Sequence, residues 1–191
     1  MSGLTYEQEL WLTVIDKGLL AVIVLWFGSQ LNSSLEGLKS RLSRDQEWTK
    51  TINTAVLDLT RKLAAGSHLI SWLSWSATQP DDTLTKDDFR LYDKDMRTLL
   101  SDLVGLQASL AALDDKRFKV LSPYAEDLYQ LDIEAGQARD FFLKGTDWSR
   151  AQCRNVLRHV YARTQIFDRH LLADATQLLQ QVTPAPPRAQ R

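Results

Sequence analysis

The run Arg154-Asn155-Val156-Leu157-Arg158-His159 gathers side chains able to act on a phosphodiester. An imidazole titrates near neutral pH, so His159 can take a proton from a ribose 2′-hydroxyl or deliver one to a leaving group. A guanidinium presents a planar fork of donors, so Arg154 can hold a scissile phosphate by two hydrogen bonds and stabilise the charge developing on it. Asn155 adds a polar group beside the arginine. Short patterns of this kind also arise by chance, and Arg163 with His170 meets a looser version. The plainer account is a solvated helix face, with Arg154 and Arg158 one turn apart.

A second pair of charges stands in an unusual place. Asp16 and Lys17 interrupt Trp11–Gly28, WLTVIDKGLLAVIVLWFG, the one stretch apolar enough to sit in lipid. Trp11 at one end and Trp26-Phe27 at the other are the residue types that favour membrane–water interfaces. Trp11 and Trp26 would lie roughly 22 Å apart along a helix, and Leu4, Leu10 and Leu31 can extend the span toward the ~30 Å hydrocarbon core. Ten strongly apolar residues there contribute roughly 3–6 kcal/mol to insertion, and two central charges oppose it by roughly 5–7 kcal/mol. The near balance makes a marginal lone anchor. Charges at membrane depth usually face a bundle interior or a water-filled path. The expectation is therefore one stave of a homo-oligomer in contact with lipid, with Asp16 and Lys17 facing a pore or a neighbouring protomer. The competing account is a buried helix of a soluble domain, since the uninterrupted run from Gly18 to Phe27 is short. A cleaved signal peptide is disfavoured, because Glu7 and Glu9 precede the run and no Lys or Arg does. Lys39, Arg41, Arg44 and Lys50 follow it, which orients the N-terminus outside and the remainder in the cytoplasm.

The rest of the chain reads as helix without strands. Thr5 and Gln8 have capping-box spacing, and a helix is expected from there to about Leu42. Beyond the apolar segment, Leu31, Leu35, Leu38 and Leu42 form an amphipathic stripe. A second helix is expected from Asp45 to Trp75, with Trp48, Ile52, Val56, Leu59, Leu63 and Leu69 on one face and a kink at Gly66. His68 is expected to be a satisfied structural residue, and the aromatic end with Trp72 and Trp75 to pack in the core or against a neighbour. Thr78–Lys86 reads as a loop, and Thr85 caps a third helix running to about Leu113. Its apolar set includes Phe89, Leu91, Met96, Leu99, Leu100, Leu103, Leu106, Leu110 and Leu113. Ser122-Pro123 is expected to open a fourth helix, with Pro in the first turn, and Gly145 to stop it. Thr146 or Asp147 caps a fifth, reaching about Val182. This divides the chain into a transmembrane helix at 1–31, a helical bundle at 32–182 and a disordered Pro-rich tail at 183–191.

Composition narrows the function. The 191 residues carry a net charge of -1, so nucleic acid would need a local basic patch. Cys153 is the only cysteine and is expected to be a buried small hydrophobe. No Cys/His cluster suggests a metal, no Gly-rich loop suggests a phosphate cradle, and no cofactor is expected.

The Arg154-Asn155…His159 pattern resembles the R-N-x-x-x-H motif of the HEPN (higher eukaryotes and prokaryotes nucleotide-binding) superfamily. Its members are all-helical bundles, and many are metal-independent ribonucleases whose protomers face each other to complete a site. The resemblance implies Arg154 and His159 as the active pair, with Asn155 adjacent. The motif together with one N-terminal membrane helix looks like the small membrane accessory proteins of type VI-B CRISPR systems. That likeness implies an inner-membrane pore with a HEPN-like cytoplasmic domain that strengthens antiviral defence beside an RNA-guided RNA nuclease. Two other functions compete with this expectation: a membrane-tethered ribonuclease acting on RNA, and a non-catalytic helical scaffold.

Overall fold

The computed structural model describes residues 6–79 and 84–181; within the first helix the side chains of 6–28, 31 and 33 lie outside the description. Four α-helices follow in order: α1 (Tyr6–Ser76), α2 (Lys86–Leu113), α3 (Asp115–Lys144) and α4 (Asp147–Gln180). Among the described residues there is no strand, so the chain is all-α. The described residues fall into two units, 6–48 and 49–181. The sequence boundary at 31/32 marks the end of the apolar segment, and the larger packing unit begins at Thr49. The tail at 183–191 lies outside the described residues.

In the larger unit the helices run antiparallel in an up-down-up-down order. Lys62 of α1 meets Asp102 of α2 at 2.7 Å. Phe89 of α2 stacks near Phe142 of α3 with ring centroids 5.2 Å apart, and Phe141 of α3 meets Trp148 of α4 at 6.0 Å. Gln165 of α4 returns to Ser71 of α1 at 3.5 Å. On α1 a buried stripe runs through Ile52, Val56, Leu59, Leu63, Gly66, Ile70 and Leu73 in alternating steps of four and three, with Ser67 and Ser74 buried beside it. That spacing keeps one stripe of a helix facing its neighbours, as in four-helix bundles. Fully burying each Leu or Ile contributes roughly 1.5–3 kcal/mol. Phe89, Tyr92, Met96, Leu99, Leu103 and Leu110 supply the stripe of α2.

Local chemistry sets the helix ends. Thr85 accepts from Asp88 N while Asp88 accepts from Thr85 N, closing a capping box on α2. Thr146 caps α4 reciprocally with Ser149. Gly145 ends α3 with φ at 73°, a left-handed conformation suited to glycine.

Four expectations need correction. No break occurs near Asp45: α1 is one helix through that point, because Ser43-Arg44-Asp45 holds no Pro or Gly to interrupt it. The four–three spacing puts Ile70, not Leu69, on the buried stripe. The α3 helix starts at Asp115, not at Pro123. Asp114 ends α2 and caps α3 at once, its Oδ1 accepting from Lys116 N and Arg117 N at 3.1 Å each. Pro123 is an exposed interior residue of α3, where its missing N–H forfeits one ladder bond. His68 is exposed, as are Trp72 and Trp75 at 40% and 49%.

The helix also continues through Gly66, whose use is close packing. A Cβ there would stand 2.6 Å from Leu128 Cδ2 and 3.1 Å from Leu99 Cδ2, so α2 and α3 press leucines against the α1 backbone. Among the described residues no helix is long and apolar enough to cross a membrane; that statement does not extend to 11–28. Substituting Gly66→Val should destabilise the bundle by about 1–3 kcal/mol through overpacking. Urea unfolding followed by circular dichroism checks this, and an unchanged midpoint would contradict the close approach.

Candidate functional site

Arg154, Asn155 and His159 lie along the first half of α4. The buried side of that helix is Ser149, Cys153, Leu157, Val160, Thr164, Phe167, Leu171, Ala175 and Leu178. The candidate residues sit beside this stripe: Arg154 is half-buried, and Asn155, Arg158 and His159 are exposed. Asn155 and His159 are one turn apart and share a side. Arg154 and His159 are five residues apart, which turns their Cβ directions roughly 140° from each other about the helix axis. The helix therefore groups Asn155 with His159 and sets Arg154 with Arg158. Cys153 is buried. Asp16, Lys17, Trp11, Trp26 and Phe27 have helical backbone, and their side chains lie outside the description. Among the described residues no group of three or more His, Cys, Asp or Glu is arranged to hold a metal ion.

Arg163 and His170, two turns apart, do share a concavity. A cleft of about 210 Å³ between α3 and α4 is lined by Tyr124, Asp127, Leu131, Arg163, Ile166, Phe167 and His170. Most of its polar chemistry is already matched. The Arg163 guanidinium donates to Glu134 of α3. The Tyr124 hydroxyl donates to Asp174 Oδ2 at 2.7 Å, and its ring meets Phe167 edge-on at 5.6 Å. A second cleft, about 250 Å³ between α2 and α3, repeats the arrangement. There Tyr92 donates to Asp132 Oδ1 at 2.7 Å and Arg139 to Asp93 Oδ2 at 2.5 Å. In both hairpins the earlier helix supplies a tyrosine and an acid, and the later one an acid and an arginine. These groups fasten neighbouring helices, and the pairing satisfies polar atoms that burial would otherwise leave without partners.

The most buried charge lies at the opposite end of the bundle. Arg117 of α3 is 2% exposed. Its Nη1 donates to Asn53 Oδ1 of α1 at 2.8 Å, its Nη2 to the Gln181 carbonyl after α4 at 3.0 Å, and its Nε lies 3.5 Å from Asp114 Oδ2. One guanidinium thus ties α1, the α2–α3 corner and the end of α4. These partners are 64 residues away on either side, so no local pattern announces them. An arginine in phase with a buried leucine stripe was the available signal.

Burial and the neighbouring Asp132 carboxylate push the Tyr92 hydroxyl well above its ordinary range, and burial with the Asp174 hydrogen bond does the same for Tyr124. The hydrogen bond to Asp93 raises Arg139. Comparison with protein-family models, with curated proteins and with solved structures finds no match.

Two outcomes are expected. Arg117→Ala removes one member of a buried charged set and should cost about 3–5 kcal/mol of stability, since Asp114 stays buried behind it. Differential scanning calorimetry reads this as a lowered Tm. The raised tyrosines keep their protons in the fold and lose them at about pH 10 when unfolded, so stability is fully present below pH 10 and falls above it. Each tyrosine accounts for at most about 1.4 kcal/mol per pH unit. The double variant Tyr92→Phe, Tyr124→Phe should flatten that alkaline decline; an identical slope in urea titrations at pH 8 and 11 would refute the linkage.

Proposed function

We propose that this chain is a single-pass membrane protein whose residues 11–28 cross the bilayer with the bundle of 49–181 on the cytoplasmic side. In this reading copies assemble around Asp16 and Lys17 into a homo-oligomeric pore. The observation that carries the reading is a charged pair inside an apolar segment bounded by Trp11 and Trp26. A lone helix gains almost nothing by burying those charges in lipid, whereas an oligomer gives them a partner or a watery path. Helical backbone through the segment supports the reading, because a bilayer requires every backbone polar group to be satisfied internally. The resemblance of Arg154, Asn155 and His159 to a HEPN motif supplies a setting. The pore would compromise the inner membrane of an infected cell in concert with a type VI-B RNA-guided nuclease.

The scaffold reading has its own support. Four of the polar groups around each interhelical cleft pair with one another, which suits a rigid docking body. The ribonuclease reading depends on Arg154 and His159 acting together, and its test is metal-free RNA cleavage abolished by His159→Ala.

The deciding experiment is conductance of the full chain in planar bilayers. Wild type should give discrete openings, and Asp16→Leu or Lys17→Leu should change their size or frequency while the protein stays in the membrane fraction. Unaltered openings in both variants would refute the pore-lining role. A stable membrane protein without any conductance would favour the scaffold.

A further inference from the structure

Four cations stand in a row along α2. Lys86, Arg90, Lys94 and Arg97 recur at i, i+4, i+8 and i+11, which puts them on one ridge of the helix. All four are exposed. Among the described residues none of them forms an ion pair. They climb the helix in steps of about 6, 6 and 4.5 Å. Arg90, Lys94 and Arg97 line an open groove of about 760 Å³. Two acids share its wall. Asp93 is engaged by Arg139 of α3 at 2.5 Å, and Asp87 stands in the first turn of α2. The groove therefore keeps a net positive charge.

The ridge borders the cleft between α2 and α3. Asp93 and Arg97 line both concavities, so the groove and the cleft are continuous. The cleft adds an apolar wall of Met96, Leu100 and Ile133, and Ile133 is 52% exposed. It is shallowest in side chain at Gly136, where a Cβ would meet nothing within 4 Å. Unlike Gly66, this glycine is not required by the packing of its own bundle, and a glycine inside a helix weakens it. Two turns beyond Arg97 the same ridge carries Val104, also exposed. The surface is a trough with cations along one edge and aliphatic side chains within it.

We propose that this trough seats an acidic amphipathic helix of a partner protein. Charge complementarity calls for an anionic occupant, and the spacing of the cations selects its kind. Carboxylates four residues apart on a helix step by about 6 Å, so a partner helix lying along α2 meets Lys86, Arg90 and Lys94 in register. Its apolar side then rests on Leu100, Ile133 and the open floor at Gly136, the way amphipathic helices sit in grooves. Nucleic acid fits less well. Phosphates along one strand of a duplex recur every ~3.4 Å, out of step with the ridge. Single strands are held by aromatic platforms, and among the described residues no aromatic side chain lines the groove or the cleft. The same trough of a second copy would set cation against cation. Exposed charge pairs are individually weak and screened by salt, so they set register and the apolar floor adds the rest. The docking goes beyond the pore reading and asks nothing of residues 11–28.

The test is fluorescence anisotropy with the full chain in a non-ionic detergent at low salt. The probe is a labelled helical peptide of about 20 residues, with glutamates at i, i+4, i+8 and i+11 and leucines on the adjoining side. A control peptide of the same composition spreads its glutamates around the helix. The first peptide should bind, and the control should bind roughly ten-fold or more weakly. Arg90→Glu together with Arg97→Glu should weaken the first peptide by roughly ten-fold or more. Gly136→Leu fills the floor without touching the cations and should also weaken it several-fold, with circular dichroism unchanged. Equal binding of the two peptides would mean unspecific attraction and overturn the proposal. Full binding by either variant would place the peptide elsewhere and overturn it, and so would no binding to wild type. A single-stranded oligonucleotide of equal charge that binds more tightly and displaces the peptide would assign the ridge to nucleic acid and overturn it as well. Conductance decides the pore separately: binding without conductance defeats the pore alone, and conductance without binding defeats the docking alone.

Discussion

From Ile52 to Leu73 one side of α1 carries an apolar residue or a glycine at every third or fourth position, and water would bathe it all if α2, α3 and α4 did not close over it. The bundle is arranged around that constraint. Seven steps along α1 are buried, and each neighbouring helix presents its own stripe in return. Gly66 marks where the fit is tightest, since Leu128 and Leu99 occupy the space a side chain would need. Interiors packed this closely feel the change of a single methyl group. The antiparallel order follows from the short connections: one residue, Asp114, joins α2 to α3, and Gly145 with Thr146 joins α3 to α4.

Polar interactions specify how the apolar stripes meet. A stripe of leucines can slide by a turn at little loss, whereas Tyr92 with Asp132 and Tyr124 with Asp174 match only at one height. Arg117 acts more strongly, because a buried guanidinium that lost Asn53, Gln181 or Asp114 would be left with unsatisfied donors. Exposed pairs such as Lys62 with Asp102 contribute little beyond solubility. Such matching engages Tyr124, Asp174, Arg163 and Glu134 across α3 and α4, and Tyr92, Asp132, Arg139 and Asp93 across α2 and α3. The chemical interest then moves to α1 before Thr49, where a charged pair lies in an apolar segment and a leucine stripe stands uncovered.

Helix ends were readable because capping is local. Thr85, Gly145 and Thr146 act within three residues of themselves, so their spacing announces them. Local signals also mislead at the start of α3: Pro123 is a familiar opening residue, but Asp114 caps the helix two turns earlier. Asp45 resembles a boundary because charge and a gap in hydrophobicity look like a loop, while helix continuity needs only the absence of breakers. The candidate residues Arg154, Asn155 and His159 were visible as a pattern. Their separation around α4 follows from helix geometry, and their burial does not. Arg163 with His170, the looser match, is the pair that shares a cleft.

Residue order alone was enough to establish an all-helical chain, most helix ends, a buried Cys153 and the unusual placement of Asp16 and Lys17, because periodicity, capping and hydropathy act over a few residues. Which stripe is covered and which is bare, that Arg117 is buried while His68 is exposed, and that tyrosines latch onto aspartates 40 and 50 residues away were settled only by the assembled helices. Burial depends on what stands opposite a side chain, and here that neighbour belongs to a different helix.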